Sequence, residues 1–504
     1  MRTINMKPLP SIRSVVLSGC FAFVTFALAA SAHSATLYVD AAAADGGDGS
    51  INNPYNSIQT AVNNIIFGEE NTINATGNFS EYVLVDPDHG GVGESTRTII
   101  QGWPGRPRPV NDARGNPNIY GDVVDLTGYY ITFRGFEVIG ANNAANIWSG
   151  IGARYVIVEN NISWGAYGPD ASKGICFRGS DNGIIRNNEV YQNDEIGIYA
   201  PDETDDIEIY NNIVHDNGRY GIRAVGTGDN VYIHDNVVFH NGYRGAQLHP
   251  SGISYSSLVP NVAMGLIIEH NTIDDEFTGI SIGGINDAVV QGNTITNAKQ
   301  WAISNLGSER MVIDGNSINI PPEAYGITLK DSNGVIIQNN ILYGEGKRGI
   351  FLFGGISQVN ILNNTIIGQE VGIFMNASPV NAQYKAYNNV FFNNETVIFS
   401  RTKRFAGISS DHNAFSQYDI FFARPQRQPR TREHVCSQFG MDCGSIDGVE
   451  PHFVDELAND YHLLSISPLI GQGLLEQAPD HDFDRDDRKA NGSVDIGADE
   501  FIEK

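Results

Sequence analysis

The residues best suited to chemistry cluster between positions 173 and 249: Lys173, Arg178, Tyr199, Arg219, Tyr220, Arg223, Tyr243, Arg244, Gln247 and His249. Guanidinium groups pair with carboxylates bidentately, so Arg178, Arg223 and Arg244 suit neutralising an anionic substrate. His249 or Tyr199 could pass protons at a reacting centre. Together these types fit β-elimination from a uronate, which needs a base for the acidic carbon, an acid for the leaving oxygen and cations for the carboxylate. Hydrolysis would instead need two carboxylates across the bond, and here the only nearby ones are Glu195, Asp202 and Asp216. His249, Arg223, Tyr199 and Arg244 are therefore taken as catalytic. Arg178, Gln247, Arg219, Tyr220, Tyr243 and Lys173 are taken as substrate-binding.

These residues share a face only if the chain winds as its repeat requires. Asparagines, mostly in pairs, recur at Asn161, Asn188, Asn212, Asn236, Asn271, Asn293, Asn316, Asn340, Asn364, Asn389 and Asn413. The steps run from 22 to 27 residues, apart from one of 35. Each unit carries short β-branched runs and a "GI", as in "VIIQNNILY". A unit this short cannot hold a strand–helix crossover, so three short strands must stack on the next coil at about 4.8 Å. The expected fold is all-β: a single-stranded right-handed parallel β-helix with an N-terminal helical cap and a C-terminal loop-rich cap. Alternation after "GI" gives outward columns, the first running Cys176, Tyr199, Arg223, Gln247, Ser281, Ser304, Thr328, Phe351 and Phe374. The second includes Arg178, Val225, His249 and Gly283. The 35-residue step implies an insertion, read as Ser251 to Asn261, walling the patch.

Helix-forming "NPYNSIQTAVNNII" (Asn53 to Ile66) suits the first cap. With "GDGSINNPYNSIQTAV", the closing "FDRDDRKANGSVDIGADEF" and the coils, the chain resembles the pectate-lyase-like β-helix superfamily of secreted bacterial carbohydrate-active proteins. That resemblance implies action on polysaccharides and covers nearly the whole mature chain. It does not specify one reaction. "VDPDHG" (Val85 to Gly90) resembles the D-P-H-D signature of alginate epimerases, but the order here is Asp86, Pro87, Asp88, His89, and it counts as a near miss.

Boundaries follow: 1–32 signal peptide, 33–80 entry segment and cap, 81–415 β-helix, 416–504 C-terminal cap. Lys7 and Arg13 precede an apolar run ending at "ASA", so the expected location is secreted or periplasmic, with lipidation at Cys20 as the weaker alternative. Cys436 and Cys443 could close a small disulfide, while Cys176 then stays a thiol. A net charge of −26 argues against a nucleic-acid binder. No segment after the signal is apolar enough to span a membrane, and a monomer is expected. Asp202, Glu203, Asp205 and Asp206 form an acidic turn that could hold Ca²⁺, with Asp274 to Glu276 a weaker case and Asp480 to Asp487 a third in the final cap. The functional expectation is a lyase acting on a uronic-acid-containing glycan. A glycoside hydrolase, a uronan epimerase and a non-catalytic carbohydrate-binding or adhesive solenoid compete with it.

Overall fold

The computed structural model describes residues 35–503 apart from 170, 202–203, 227, 244–249, 258–263, 378–382, 402–406, 417–419, 422–429 and 491. The expected signal peptide and Cys20 lie outside the described residues, as do Asp202, Glu203, Arg244, Gln247 and His249.

Among the described residues, three parallel sheets of 15, 14 and 15 strands are built between Ala35 and Asp447. Each strand pairs with the equivalent strand of the next coil. The core follows from the alternation: Ile175, Ile198, Ile222, Ile253, Ile280, Ile303, Ile327, Ile350, Ile373 and Ile398 stack in register inside one sheet. All ten are buried. A strand of at most seven residues cannot bury such a face alone, so stability comes from stacking coil on coil.

The asparagine pairs now have separate jobs. The first member sits in the left-handed region, with φ near +55° at Asn160, Asn187, Asn211, Asn339, Asn363 and Asn388. Asp235 and His270, or Gly292 and Gly315, serve where the pair is degenerate. Short polar side chains and glycine tolerate that conformation, which is why the position is so restricted. The second member is buried and forms a continuous ladder from Asn161 to Asn413. Asn236 accepts from the Asn212 backbone N–H and Nδ2, both at 3.0 Å, and donates to the Ile209 carbonyl at 2.9 Å. Asn236→Ala should therefore destabilise the protein by about 2–3 kcal/mol, because buried donors lose their acceptor. Chemical denaturation checks this, and a loss below about half a kcal/mol would contradict the ladder's role.

At the N-terminus the helix is shorter than expected, Ile58–Val62. The Ser57 side chain caps it, and Ile58, Ala61 and Val62 face the first strands of the core. At the other end the helix Arg432–Phe439 contributes Val435 to that core, and Cys436 and Cys443 are joined as a disulfide. Cys176 is buried and forms no disulfide. The closing motif does more than cover an end. Residues from Phe453 to Ala498 pack along the flank, against Ile341, Tyr343, Ile367, Val390 and Phe392. Buried Arg488 explains the motif's arginine: it donates to the Gly497 and Ala498 carbonyls at 2.9 and 2.5 Å and to Asn339 Oδ1 at 3.1 Å.

The structure corrects the long step. The strand of that coil is Ser251–Ser256, so Ser254 and Ser256, not Gln247 and His249, fill the two outward columns between Arg223 and Ser281 and between Val225 and Gly283. From asparagine to glycine the preceding coil uses nine residues, Asn212 to Gly221, and this one sixteen, Asn236 to Gly252. Most of the extra length thus enters before the strand, and the wall read over Ser251 to Asn261 is partly a core strand. The "SGISY" here satisfies the same pattern as "RGAQL", and only the tertiary register separates them.

A second correction concerns Glu276. It is no surface cation ligand but the fully buried end of another ladder, Asn193–Asn217–Asn241–Glu276. Its Oε1 accepts from the Asn241 backbone N–H at 3.0 Å and from Nδ2 at 2.8 Å.

Candidate functional site

A cavity of about 400 Å³ opens on the sheet that carries the outward columns, lined by Asp122, Trp148, Lys173, Cys176, Arg178 and Tyr199, among others. Three consecutive strands build its centre: Ala145–Ser149, Lys173–Phe177 and Ile196–Pro201. Trp148, Cys176, Tyr199 and Arg223 are register partners, one per coil. Of the expected site residues, Lys173, Arg178 and Tyr199 therefore meet in one cleft.

Lys173 lies with Nζ 5.5 Å from the Tyr199 ring centroid. Its pKa is lowered, chiefly because burial removes water from the ammonium, although Cys176, Glu195 and Asp122 pull the other way. Arg178 is exposed at the rim. Asp122 accepts from the Ala145 backbone N–H at 2.6 Å, and burial raises its pKa. One coil further towards the N-terminus than Trp148, Asp125 occupies the same column. Burial pushes its pKa to about 6, against the pull of a 2.5 Å hydrogen bond donated by the Tyr82 hydroxyl. The site thus extends across coils that the repeat phrase does not mark. Tyr82, Asp122, Asp125 and Trp148 were missed for that reason. The signal available was period-2 alternation in "DVVDL" and "NIWS", where Asp125 and Trp148 fall between inward apolar residues.

On the other side, Arg219 and Arg223 both lie over the ring of buried Tyr220, at 5.0 and 4.4 Å from its centroid. Their Nε atoms are buried and make no hydrogen bond among the described residues. Tyr243 is exposed and donates to Asp194 Oδ1 at 3.2 Å, two coils back. "VDPDHG" follows the strand Val83–Val85, which pairs directly with Val124–Leu126, so it lies nearer the cleft than its sequence position suggests. There His89 Nδ1 and Asp86 Oδ1 are 2.6 Å apart.

The acidic turn fastens neighbouring coils. Asp205 Oδ1 accepts from the Asp229 backbone N–H at 2.8 Å, and Asp206 Oδ1 from Asn230 Nδ2 at 2.9 Å. Among the described residues, the group whose donor atoms could hold a metal ion together is His462, Asp484 and Asp499, all within 4.8 Å, in the flank segment and remote from the cleft in sequence. No helix of the described residues is long and apolar enough to cross a membrane.

The family model described as a right handed beta helix region matches residues 117–261 and 258–416, more than half of the chain. The chain belongs to the right-handed β-helix family. This agrees with the resemblance drawn from the coils and closing motifs. No curated protein matches the chain. Solved structures similar to this β-helix include the complex of XylC with xylose, at 12% identity and a TM-score of 0.44, covering 93% of this chain and 99% of that one. The Azotobacter vinelandii mannuronan C-5 epimerase AlgE4 A-module has 16% identity and a TM-score of 0.46, covering 64% and 94%. Pectate lyase Pel9A has 14% identity and a TM-score of 0.34, covering 93% and 96%. At these values the likeness is one of fold, and any reaction has to be argued from the site.

Proposed function

We propose that this β-helix is an exported enzyme that cleaves a uronic-acid-containing polysaccharide by β-elimination. The observation carrying this reading is the cleft in which a desolvated lysine, a tyrosine and an arginine converge on an outward sheet face. Burial of Lys173 increases the fraction of neutral amine, the form that removes the proton from C5 of a uronate. The electron pair left behind forms the C4–C5 double bond, and the C4–O4 bond breaks. In this reading Tyr199 gives the departing oxygen its proton, and Arg178 and Arg223 neutralise the carboxylate while charge builds on it. Lys173 thus moves from a binding to a catalytic role. Arg244, Gln247 and His249 belong to the coil beside Arg223 in sequence, and Ca²⁺ is proposed as an auxiliary counter-charge for the substrate.

One observation supports a second reading. Asp122 and Asp125 both have raised pKa values; Asp122 lines the cleft and Asp125 stands in the Trp148 column, which offers hydrolysis two carboxylates beyond Glu195, Asp202 and Asp216. Incubation with polygalacturonate, alginate and hyaluronan, with and without EDTA, separates the readings. Elimination gives unsaturated ends that absorb in the ultraviolet. Reducing ends without that absorbance would establish hydrolysis, and no product from any glycan would leave a binding solenoid. Loss of absorbance under EDTA would show a cation requirement.

A further inference from the structure

The column that passes through the cleft continues down the sheet and changes character. After Arg223 it runs through Ser254, Ser281, Ser304 and Thr328 to Phe351 and Phe374. At that end Arg348 is held against three rings, with its guanidinium carbon 3.8 Å from the Phe374 centroid, 4.1 Å from Phe351 and 4.9 Å from Tyr325. Arg401 lies 5.4 Å from the Phe374 ring, and Lys330 lies 5.7 Å from Phe353.

Elsewhere on this acidic molecule several arginines take carboxylates: Arg310 binds Asp287, Arg186 binds Glu159 and Arg114 binds Asp112. Among the described residues Lys330, Arg348 and Arg401 form no such pair. A guanidinium held among aromatic rings is restricted in rotamer yet keeps its fork of donors. Three cations with no carboxylate at ion-pairing distance among the described residues, Glu370 acting on Arg348 only from further away, amount to a local anion receptor in a chain of net charge −26.

We infer that the Arg348 platform is a distal binding site for carboxylates of the same polymer whose bond is broken in the cleft. The inference rests on the proposed uronan chemistry and adds where the chain runs and how long it must be. From Tyr199 to Phe351 is six strand steps along one column, about 29 Å at the usual inter-strand spacing. Only a substrate of that length reaches both ends, and the serine-lined stretch between offers small side chains over which an extended chain can lie.

The test uses affinity electrophoresis of the full protein in gels holding polygalacturonate or alginate, with a neutral dextran gel as control. Wild type should be retarded by a uronan and not by dextran, and Arg348→Gln should lose about tenfold in affinity. Turnover of a uronan trisaccharide, too short to span the distance, should stay unchanged. If Arg348→Gln fails to fold, as judged by thermal unfolding, Lys330→Gln at its exposed position replaces it, with about a threefold loss expected. Retardation of the folded variant equal to wild type would overturn the platform and leave the proposed function standing. Equal loss on the trisaccharide would place Arg348 in the cleft's own action and overturn a distal role. Dextran retardation as strong as uronan would overturn the carboxylate specificity. No retardation and no turnover with any uronan would overturn platform and function together.

Discussion

Lys173→Met should lower uronan turnover by about a thousandfold while leaving substrate affinity within a few-fold of wild type. General base catalysis typically contributes 10²–10⁴-fold. Methionine keeps the side-chain length and apolar contacts, so the cavity beside Trp148 and Tyr199 should survive. The pH dependence gives a sharper signature. Burial lowers the Lys173 pKa from its ordinary value. A base works deprotonated, so wild-type kcat should rise with pH through that lowered pKa. The rising limb should disappear from whatever activity Lys173→Met retains. Lys173→Arg separates base from mere cation, because guanidinium stays protonated throughout this range. Turnover should remain lost in that variant even though the positive charge is kept. Recovery of activity in Lys173→Arg, or more than a tenth of wild-type kcat in Lys173→Met, would remove Lys173 from the proton-transfer role.

What the sequence exposed and what it concealed follow one physical line. The ladder from Asn161 to Asn413 was legible because each position has a single solution. The turn demands a left-handed residue, and the buried side chain after it must both donate and accept. The columns Cys176–Tyr199–Arg223 and Ser281–Ser304–Thr328 were legible because alternation is fixed by the pleat. Between them the reading failed where an insertion left two candidate strands with the same local pattern. Choosing between "RGAQL" and "SGISY" depends on contacts with neighbouring coils, such as Arg223 beside Ser254. Asp122 and Asp125 were hidden for the opposite reason. Their coils precede the regular repeat and lack the paired asparagines, so no period placed them. Glu276 was misread because an acid in "DDE" looks solvated, whereas the ladder position it occupies is set three-dimensionally by Asn241.

That substitution of an acid for an amide has a thermodynamic consequence. Asn193, Asn217 and Asn241 continue from coil to coil, and the next coil offers Glu276, whose second oxygen is buried with no partner. Burial pushes its pKa from 4.5 to about 8, despite the bonds from Asn241. The folded protein therefore holds this proton more tightly than the unfolded chain does. Its stabilising contribution is complete below the unfolded pKa and is lost as pH rises from about 4.5 through about 8. At 1.36 kcal/mol per pKa unit the full shift is worth about 5 kcal/mol. Glu276→Gln keeps an oxygen for the Asn241 donors and cannot ionise. Its new amide can face the carbonyl two residues back, as Gln369 Nε2 does with the Ile367 carbonyl at 2.6 Å. The variant should match wild type within about 1 kcal/mol at pH 5 and exceed it by several kcal/mol at pH 8.5. Denaturant unfolding of both proteins at the two pH values measures this, and parallel pH profiles would show that Glu276 does not titrate in the window. Asn241 opens directly onto the inserted residues before the strand Ser251–Ser256. The same proton thus controls the anchor of the coil beside Arg223, and raising the pH through that window should loosen this coil.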